Sequence, residues 1–185
     1  MQLARPHYGS QDLKGTGYHD REVAIPKVLG TEGGHPAVVP LFFWRKRHAS
    51  GQTWLYFPLF SKDLKEFLIT YAKSESAIGY RTVLHLASLL CAGLSFMHSR
   101  CVMHRDIKPR NILMHIQKTQ PSASRHPVPD AYDWCPVICD FGNACHLVGQ
   151  APEMPTRKYC TLQYCAPEVL IPFMKYSWSL SLIHI

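Results

Sequence analysis

Several features that define other classes of protein are missing from this sequence. No run of about 18 or more apolar residues occurs, which predicts that no segment spans a membrane. The opening stretch, MQLARPHYGS, lacks the apolar core that a secretory signal needs. No internal repeat is visible either. These absences predict an intracellular protein, in the nucleus or the cytoplasm, with no membrane partner.

The cysteines lack the spacing of a metal site. There are seven, an odd number, and no Cys-x-x-Cys pair occurs among them. Structural zinc sites bring four ligands together, commonly through such pairs. We therefore expect no structural zinc, and we expect free thiols in a reducing compartment.

Charged side chains are also scarce, at 18% of the residues. Average globular domains carry about 25%, so some apolar surface should meet another element or a partner. Hydrophobic residues make up 46% of the 185 residues, which excludes disorder over most of the chain and suffices for one domain or two small lobes. The net charge of +7 favours polyanionic ligands such as nucleotide phosphates.

The only dense basic cluster in the sequence is WRKRH, Trp44 to His48. Two apolar, aromatic-rich runs flank it, AVVPLFFW and TWLYFPLF, and they predict a β-hairpin with the cluster at its solvated tip. A nucleic-acid surface is the alternative interpretation. It would require aromatic residues interleaved with the charges on one face, a pattern that the sequence does not show. We therefore expect no specific nucleic-acid partner.

The middle of the chain carries the clearest helical signals. In KDLKEFL, Asp63 is a suitable N-cap and Glu66 completes a capping-box pattern. Between Thr82 and Ser99 the apolar residues recur on one helical face, which predicts burial of Val83, Leu86, Ala87, Leu90, Leu94 and Met97. Three strand-like pieces follow, CVM, NILMHI and PVIC. Residues 117–134, between the last two, are polar and proline-rich and predict a mobile insertion.

Two loops that follow predicted strands contain residues suited to phosphoryl transfer. The reaction needs a carboxylate to orient a hydroxyl and accept its proton, and Asp106 in HRDIKPRN can serve. It needs a cation for the charge on the phosphoryl oxygens, and Lys108 can serve. It also needs oxygen ligands for Mg²⁺, which Asn111 and Asp140 can supply. Gly142 allows a sharp turn after the aspartate of DFG.

The joint pattern H-R-D-x-K-x-x-N, then DFG, then APE resembles the eukaryotic protein kinase family from about Arg21 to Leu170. The resemblance implies an α+β fold with a β-rich small lobe and a mainly helical large lobe. It also implies a serine/threonine protein kinase that uses ATP and Mg²⁺ on a protein substrate. The lysine at Lys108 is similar to that of the serine/threonine branch.

The same resemblance assigns roles to individual residues. Asp106 is the catalytic base and Lys108 a phosphate contact, while Asn111 and Asp140 are magnesium ligands. TWLYFPLF is similar to the last small-lobe strand and the hinge. This makes Phe57 the gatekeeper, with backbone groups of Pro58 and Phe60 at the adenine. Structural positions in the three motifs belong to His104, Gly142 and Glu168.

The segments REVAI, FPLFSKDLKEFL, HRDIKPRNIL and TLQYCAPEVLI are most similar to cyclin-dependent kinases. This implies that Thr161 helps to form the substrate-docking loop and that Thr156 is an activating phosphorylation site, paired with Arg105. A cyclin-like or other regulatory protein is the implied partner. Two features depart from that group: Cys165 replaces an arginine, and FGNAC is similar to kinases directed at splicing factors. The subfamily therefore stays open.

Two parts of the family pattern are not found in the sequence. No G-x-G-x-x-G occurs, and VAIPK differs from V-A-I-K by an extra proline. Only seven residues separate Lys27 from His35, too few for the helix that would follow a strand lysine. REVAIPKVL is therefore better interpreted as that helix, with Glu22 as the acid that pairs with the absent lysine. Pro26 should kink or shorten it.

The predicted organisation follows from these assignments. It comprises an irregular segment at 1–20, a remnant small lobe and hinge at 21–60, a truncated large lobe at 61–170 that contains the 117–134 insertion, and an atypical tail at 171–185. The first small-lobe strands and the helices after APE are expected to be missing, so apolar faces should be exposed and kinase activity impaired. The alternative is a non-catalytic kinase fragment or pseudokinase that acts only through protein binding.

Overall fold

The computed structural model describes residues 18–46, 53–73, 78–116, 134–146 and 161–166, and within these ranges the fold is α+β. The helices are α1 (Tyr18–Leu29), α2 (Leu64–Lys73) and α3 (Tyr80–Ser99). The strands are β1 (Phe43–Lys46), β2 (Thr53–Tyr56), β3 (Lys62–Asp63), β4 (Val102–Met103), β5 (Ile112–Ile116), β6 (Trp134–Ile138) and β7 (Cys145–His146). They form three small sheets, β1-β2, β3-β5-β6 and β4-β7.

Helix α1 confirms that REVAIPKVL is helical. It begins at Tyr18, so residues 18–20 belong to the helix and not to an irregular segment. It also continues for three residues beyond Pro26, and the Gly30 amide donates to the Pro26 carbonyl oxygen at 2.8 Å to close the last turn. Burial of Ile25 and Leu29, each 2% exposed, anchors the helix in the core. Lys27 therefore lies on a helix and not on a strand.

The predicted hairpin is present, but its basic residues are not all at the tip. β1 and β2 pair antiparallel, with Phe43 opposite Tyr56 and Lys46 opposite Thr53. Three residues of the basic cluster, Trp44 to Lys46, are thus part of the ladder, because the strand pairing extends further than the apolar run does. The end of the cluster, 47–48, lies outside the described residues.

The long predicted helix is confirmed as α3, with two errors on its buried face, at Val83 and at Ala87, which is only partly buried. Its buried residues are Thr82, Leu86, Leu90, Gly93, Leu94 and Met97. Val83 was predicted to be buried and is 50% exposed, because the buried stripe runs through Thr82 instead. By length and composition α3 could also cross a bilayer. Here Leu90, Leu94 and Met97 pack into the main hydrophobic cluster, as in the core helix of a globular domain.

A close approach at Gly93 joins α3 to the strand that leads into DFG. A Cβ atom at this position would lie 3.0 Å from Cβ of Ala37 and 3.2 Å from Cδ1 of Ile138. The backbone of the same segment pairs with β6: the Ile138 amide donates to the Ala37 carbonyl at 2.8 Å, and the Val39 amide donates to the Ile138 carbonyl at 2.9 Å. The position of the DFG loop therefore depends on this junction.

The 117–134 prediction needs correction at its last residue. Residues 117–133 lie outside the described residues, but Trp134 is the first residue of β6 and is 6% exposed. Its ring packs edge-on against Phe67 of α2 at 5.1 Å between centroids. A buried indole with a strand partner belongs to the core, so the insertion ends before it. The tail at 171–185 also lies outside the described residues.

Two smaller predictions have different outcomes. The N-cap is confirmed, since the Glu66 amide donates to Oδ1 of Asp63 at 2.8 Å. The expectation of free thiols holds for five described cysteines, Cys91, Cys101, Cys135, Cys139 and Cys145. It is wrong for Cys165, which is disulfide-bonded.

Candidate active site

The HRD loop connects β4 to β5 and holds its aspartate in the interior. Asp106 is 6% exposed, and Ile107 beside it belongs to the main hydrophobic cluster. Arg105 has a φ of +68°, a left-handed conformation that is uncommon for residues other than glycine. Such backbone is retained where surrounding contacts enforce it, and it is typical of functional loops.

Hydrogen-bond donors surround the carboxylate of Asp106. Its Oδ2 accepts from Nζ of Lys108 at 2.8 Å and from Nδ2 of Asn111 at 3.1 Å. Its Oδ1 accepts from the backbone amide of Thr161 at 3.2 Å and from the Thr161 hydroxyl at 3.0 Å. A buried carboxylate requires such compensation for lost hydration. The structure thus brings together the acid, the cation and the amide that the sequence placed in one motif.

Lys108 connects the catalytic loop to the segment before APE. Besides its 2.8 Å ion pair with Asp106, its Nζ donates to Oγ1 of Thr161 at 2.8 Å. The Lys108 side chain is 20% exposed, against 5% for that of Asp106, so the ammonium lies at the edge of the site. That position suits contact with a phosphate entering from solvent.

His104 holds the HRD and DFG loops together. Its Nε2 lies 2.9 Å from the Cys139 carbonyl oxygen, and its Nδ1 accepts the Asp106 backbone amide at 3.3 Å. This pair of contacts places the proton of the neutral ring on Nε2. Complete burial lowers the pKa of His104, while the bond to the Cys139 carbonyl opposes that shift. The ring centroid is 5.6 Å from that of Phe141 in DFG.

The DFG aspartate is the exposed member of the site. Asp140 has a φ of +65°, and its Oδ1 accepts the Gly142 amide at 3.4 Å. The Cys139 amide donates to the Asn111 carbonyl oxygen at 3.0 Å, which ties the two loops at adjacent positions. Gly142 is buried, so the sharp turn predicted at this glycine lies in the interior of the protein.

The residues present fit a magnesium ion. The amide nitrogen of Asn111 is directed to Asp106, which leaves its side-chain oxygen as the atom for a ligand, and Asp140 adds exposed carboxylate oxygens. Hard oxygen ligands of this kind are those that Mg²⁺ prefers, with the rest of its shell from water and phosphate. Among the described residues, no cluster of three or more His, Cys, Asp or Glu side chains that could hold a metal ion occurs.

Asn143 contributes two contacts that sequence analysis did not identify. Its Nδ2 lies 3.4 Å from Oδ2 of Asp106, and its carbonyl oxygen accepts Nε of Arg105 at 2.6 Å. Asn143 thus links the DFG loop to Arg105 and Asp106 of the HRD loop. The sequence FGNAC does show a polar side chain directly after DFG. It does not show which groups this side chain contacts, because that depends on how the two loops pack.

A cavity of about 290 Å³ adjoins the DFG loop. It is lined by Glu22, Val39, Leu55, Phe57, Leu113, Cys139, Asp140 and Phe141. Two predicted residues, Glu22 and Phe57, therefore share a cavity with a predicted magnesium ligand. Burial, and then the Asp140 charge, raises the pKa of the Cys139 thiol to about 12, so this cysteine stays protonated at neutral pH.

The two remaining hinge predictions lie elsewhere. Pro58 and Phe60 line a second cavity of about 530 Å³, together with the segment from Leu29 to Leu41 and His115. Their backbone role at adenine stays a prediction. Thr156 and Glu168 lie outside the described residues, so the pairing of Arg105 with a phosphorylated Thr156 stays a prediction as well.

Comparison with known proteins finds a matching family and several similar sequences. A family model for the protein kinase domain matches residues 11–182, somewhat beyond the range of Arg21 to Leu170. Over 175 residues the chain is 31% identical to cell division control protein 2 homolog D of Antirrhinum majus and 32% identical to cyclin-dependent kinase B2-2 of Arabidopsis thaliana. It is 33% identical to cyclin-dependent kinase B2-1 of Oryza sativa subsp. japonica.

Each of these alignments covers 88% of this chain but only 47–49% of the relative. The chain thus spans about half the length of the curated relatives that it matches. With the small β1-β2 sheet, α1 and the helical part that follows, this match confirms the predicted α+β, partial kinase-like fold.

Proposed function

The chain belongs to the protein kinase family, and on that premise we propose that it carries the large-lobe half of a site for phosphoryl transfer from Mg-ATP to a serine or threonine hydroxyl of a protein. The observation that carries the proposal is the Asp106 carboxylate held by Lys108, Asn111 and Thr161. An acid, a cation and an amide arranged in this way suit the transfer of a proton and a phosphoryl group together.

In the proposed reaction, the substrate hydroxyl lies against Asp106 and gives its proton to that carboxylate. The 3.4 Å contact from Asn143 is the longest to Asp106, and the hydroxyl takes its place. The hydroxyl oxygen forms a bond to the γ-phosphorus as the bond to the ADP oxygen breaks. Lys108 stabilises the charge on the phosphoryl oxygens.

Asn111 and Asp140 are the proposed magnesium ligands. When bound, Mg²⁺ would offset charge on the nucleotide phosphates. The bonds from His104 to the Cys139 carbonyl and from the Cys139 amide to the Asn111 carbonyl hold the backbones of the two loops together. The cavity that contains Phe57 and Glu22 is the proposed entrance for the nucleotide.

Transfer by this chain should be slow. Kinases cover the phosphates with a Gly-rich loop, and no G-x-G-x-x-G occurs in these 185 residues. The runner-up is a non-catalytic kinase fragment or pseudokinase that acts through protein binding alone. It is supported by the Asp106 carboxylate, whose two oxygens are both already engaged.

Regulation by phosphorylation and by a partner completes the proposal. Thr156 is the proposed phosphorylation site and Arg105 its partner, since an arginine beside a phosphothreonine orders a loop through charge-assisted bonds. The relatives' names indicate cyclin dependence for those proteins, so a cyclin-like protein is the proposed regulator of this one. The nucleus or the cytoplasm is the proposed location.

The test measures Mg-ATP binding by calorimetry and phosphate transfer to a basic or proline-directed peptide. Asp140→Asn should weaken Mg-ATP binding and abolish transfer, whereas Asp106→Asn should abolish transfer and leave binding nearly unchanged. Glu32→Gln is the matched control, since this carboxylate is 85% exposed and pairs with Arg100 instead. Transfer that survives Asp140→Asn would show contamination or a wrong assignment.

The same assay separates the two candidate functions. Binding of Mg-ATP without transfer supports the non-catalytic alternative. No binding at all by the wild-type chain contradicts both the proposed nucleotide site and the proposed reaction.

A further inference from the structure

The β1-β2 hairpin has one face whose side chains are all exposed. Residues opposite one another in an antiparallel pair share a face, as do residues two apart on a strand. Phe43 pairs with Tyr56 and Arg45 with Trp54, so these four side chains form one surface. We call it the aromatic face. The opposite face carries Trp44, whose ring lies 3.9 Å from Nζ of Lys27 on α1.

The aromatic face is open to solvent. Phe43 is 57% exposed, Trp54 50% and Tyr56 47%, and Arg45 is exposed as well. The rings of Phe43 and Tyr56 lie 5.5 Å apart between centroids at an angle of 50°. Trp54 precedes Tyr56 by two residues on the same strand, a distance of about 6.6 Å along it. Large exposed apolar surfaces of this kind mark interaction sites.

The segment of sequence that contains this face has charge of a single sign. No aspartate or glutamate occurs in the sequence between Glu32 and Asp63, whereas Arg45, Lys46, Arg47 and Lys62 do. Arg45 lies on the aromatic face itself, opposite Trp54. The face therefore fits a partner that is polyanionic and also presents planar rings for stacking.

We propose that the aromatic face binds single-stranded nucleic acid without sequence specificity. Its bases stack on Phe43, Trp54 and Tyr56, and a phosphate lies near Arg45 on the same face. Stacking platforms of aromatic side chains beside cations bind single strands in this way, since every base offers a ring face. The arrangement meets the requirement of interleaved aromatic and basic residues on one face. The proposal is independent of phosphoryl transfer, since it uses none of the residues of that site.

The test uses the full 185-residue chain and a fluorescein-labelled oligothymidylate of about 12 nucleotides, followed by anisotropy. Trp54→Leu and Tyr56→Leu should each weaken binding by about fivefold or more, because loss of one stacked base has an effect of this size. Trp54→Phe keeps a ring and should retain most of the affinity. Tyr80→Leu, at an aromatic residue that is 75% exposed at the start of α3, is the matched control and should change nothing.

Salt dependence tests the phosphate contacts. Between about 50 mM and about 200 mM salt, Arg45→Gln should reduce the slope of log affinity against log salt by about 0.7, the value for one phosphate of a single strand. Arg81→Gln, at an exposed arginine on α3, should leave the slope unchanged. An equal effect of the two variants would overturn the assignment.

Two competitors decide the class of partner. A duplex of the same length should compete poorly, because its bases are already stacked, and polyglutamate should compete poorly, because it has no rings. If duplex binds as tightly as the single strand, stacking is excluded. If polyglutamate displaces the oligonucleotide, the face recognises an acidic protein and the proposal is wrong. Weakening by Trp54→Phe equal to that of Trp54→Leu would also contradict it.

Discussion

At the scale of single residues, the buried polar groups of the two loops depend on one another. His104 is fully buried, and its two ring nitrogens serve the Cys139 carbonyl and the Asp106 amide. Asn143 contacts Asp106 and Arg105. Within such a network the loss of one member leaves its partner without a hydrogen bond in a site of low dielectric, at a cost of about 1–3 kcal/mol.

Stability should fall in mild acid because of His104. Burial lowers the pKa of its imidazole below the ordinary value of about 6.5, so the unfolded chain binds this proton more readily than the folded chain. The stability that depends on this shifted pKa is fully present above about pH 6.5. It is lost as the pH falls through the lowered pKa of His104 in the folded state. Urea unfolding at about pH 7.5 and about pH 5.5 measures the difference.

His104→Asn should lower the free energy of unfolding at about pH 7.5. It should also reduce the amount of stability that is lost between about pH 7.5 and about pH 5.5. Burial also lowers the pKa of His35, His98 and His146, so some pH dependence remains in the variant. His115→Asn, at an exposed ring, is the control and should behave as the wild type. An unchanged pH dependence in His104→Asn would contradict the role given to this histidine.

At the scale of elements, α3 is the support on which the DFG strand rests. Its buried stripe faces β4, β6 and the segment from Ala37 to Val39, and Gly93 allows the closest of these approaches. Most of this helix follows from sequence periodicity. Periodicity does not predict that position 93 requires a glycine, because this requirement arises from contact with Ala37 and Ile138, which are distant along the chain.

Gly93→Ala should destabilise the protein by about 1–3 kcal/mol, the usual effect of overpacking. The added methyl group would lie 3.0–3.2 Å from Cβ and O of Ala37 and Cδ1 of Ile138, and backbone cannot move as a flexible side chain does. Cys91→Ala, at an exposed position of the same helix, should change stability by less than about 0.5 kcal/mol. Chemical denaturation measures both, and equal effects would contradict the close packing.

At the scale of the whole molecule, large hydrophobic side chains are open to solvent at several positions. Several hydrophobic side chains in the described residues are strongly exposed, among them Leu59 at 98%, Leu162 at 73% and Phe42 at 70%. That these side chains lie where missing small-lobe strands or large-lobe helices would pack stays a prediction. If these side chains form a contiguous patch, they mark a surface for a partner or for self-association.

The isolated chain should therefore bind a hydrophobic dye such as ANS and elute above the size of a 21.1 kDa monomer. Leu59→Lys combined with Leu162→Lys should reduce both effects, whereas Ser88→Lys, at an exposed polar position of α3, should not. Dye fluorescence and size-exclusion chromatography with light scattering measure these outcomes. A dye-free monomer with one cooperative thermal transition would count against this interpretation.

The sequence by itself determined the features that depend on local order. The motif residues from His104 to Asn111, the N-cap at Asp63 and the amphipathic period of α3 are all set by neighbours within a few positions, so they could be predicted. The helical identity of REVAIPKVL also follows from chain length, because seven residues cannot contain another helix.

Only the tertiary structure decided which distant residues meet. Strand register placed Arg45 beside Trp54 on one open face, loop packing brought Asn143 to Asp106, and the core included Trp134. The tertiary structure also placed Phe57 and Pro58, which are neighbours in sequence, in different cavities. Such contacts join residues far apart along the chain, and their energies depend on how sheets, helices and loops pack together, which no local pattern records.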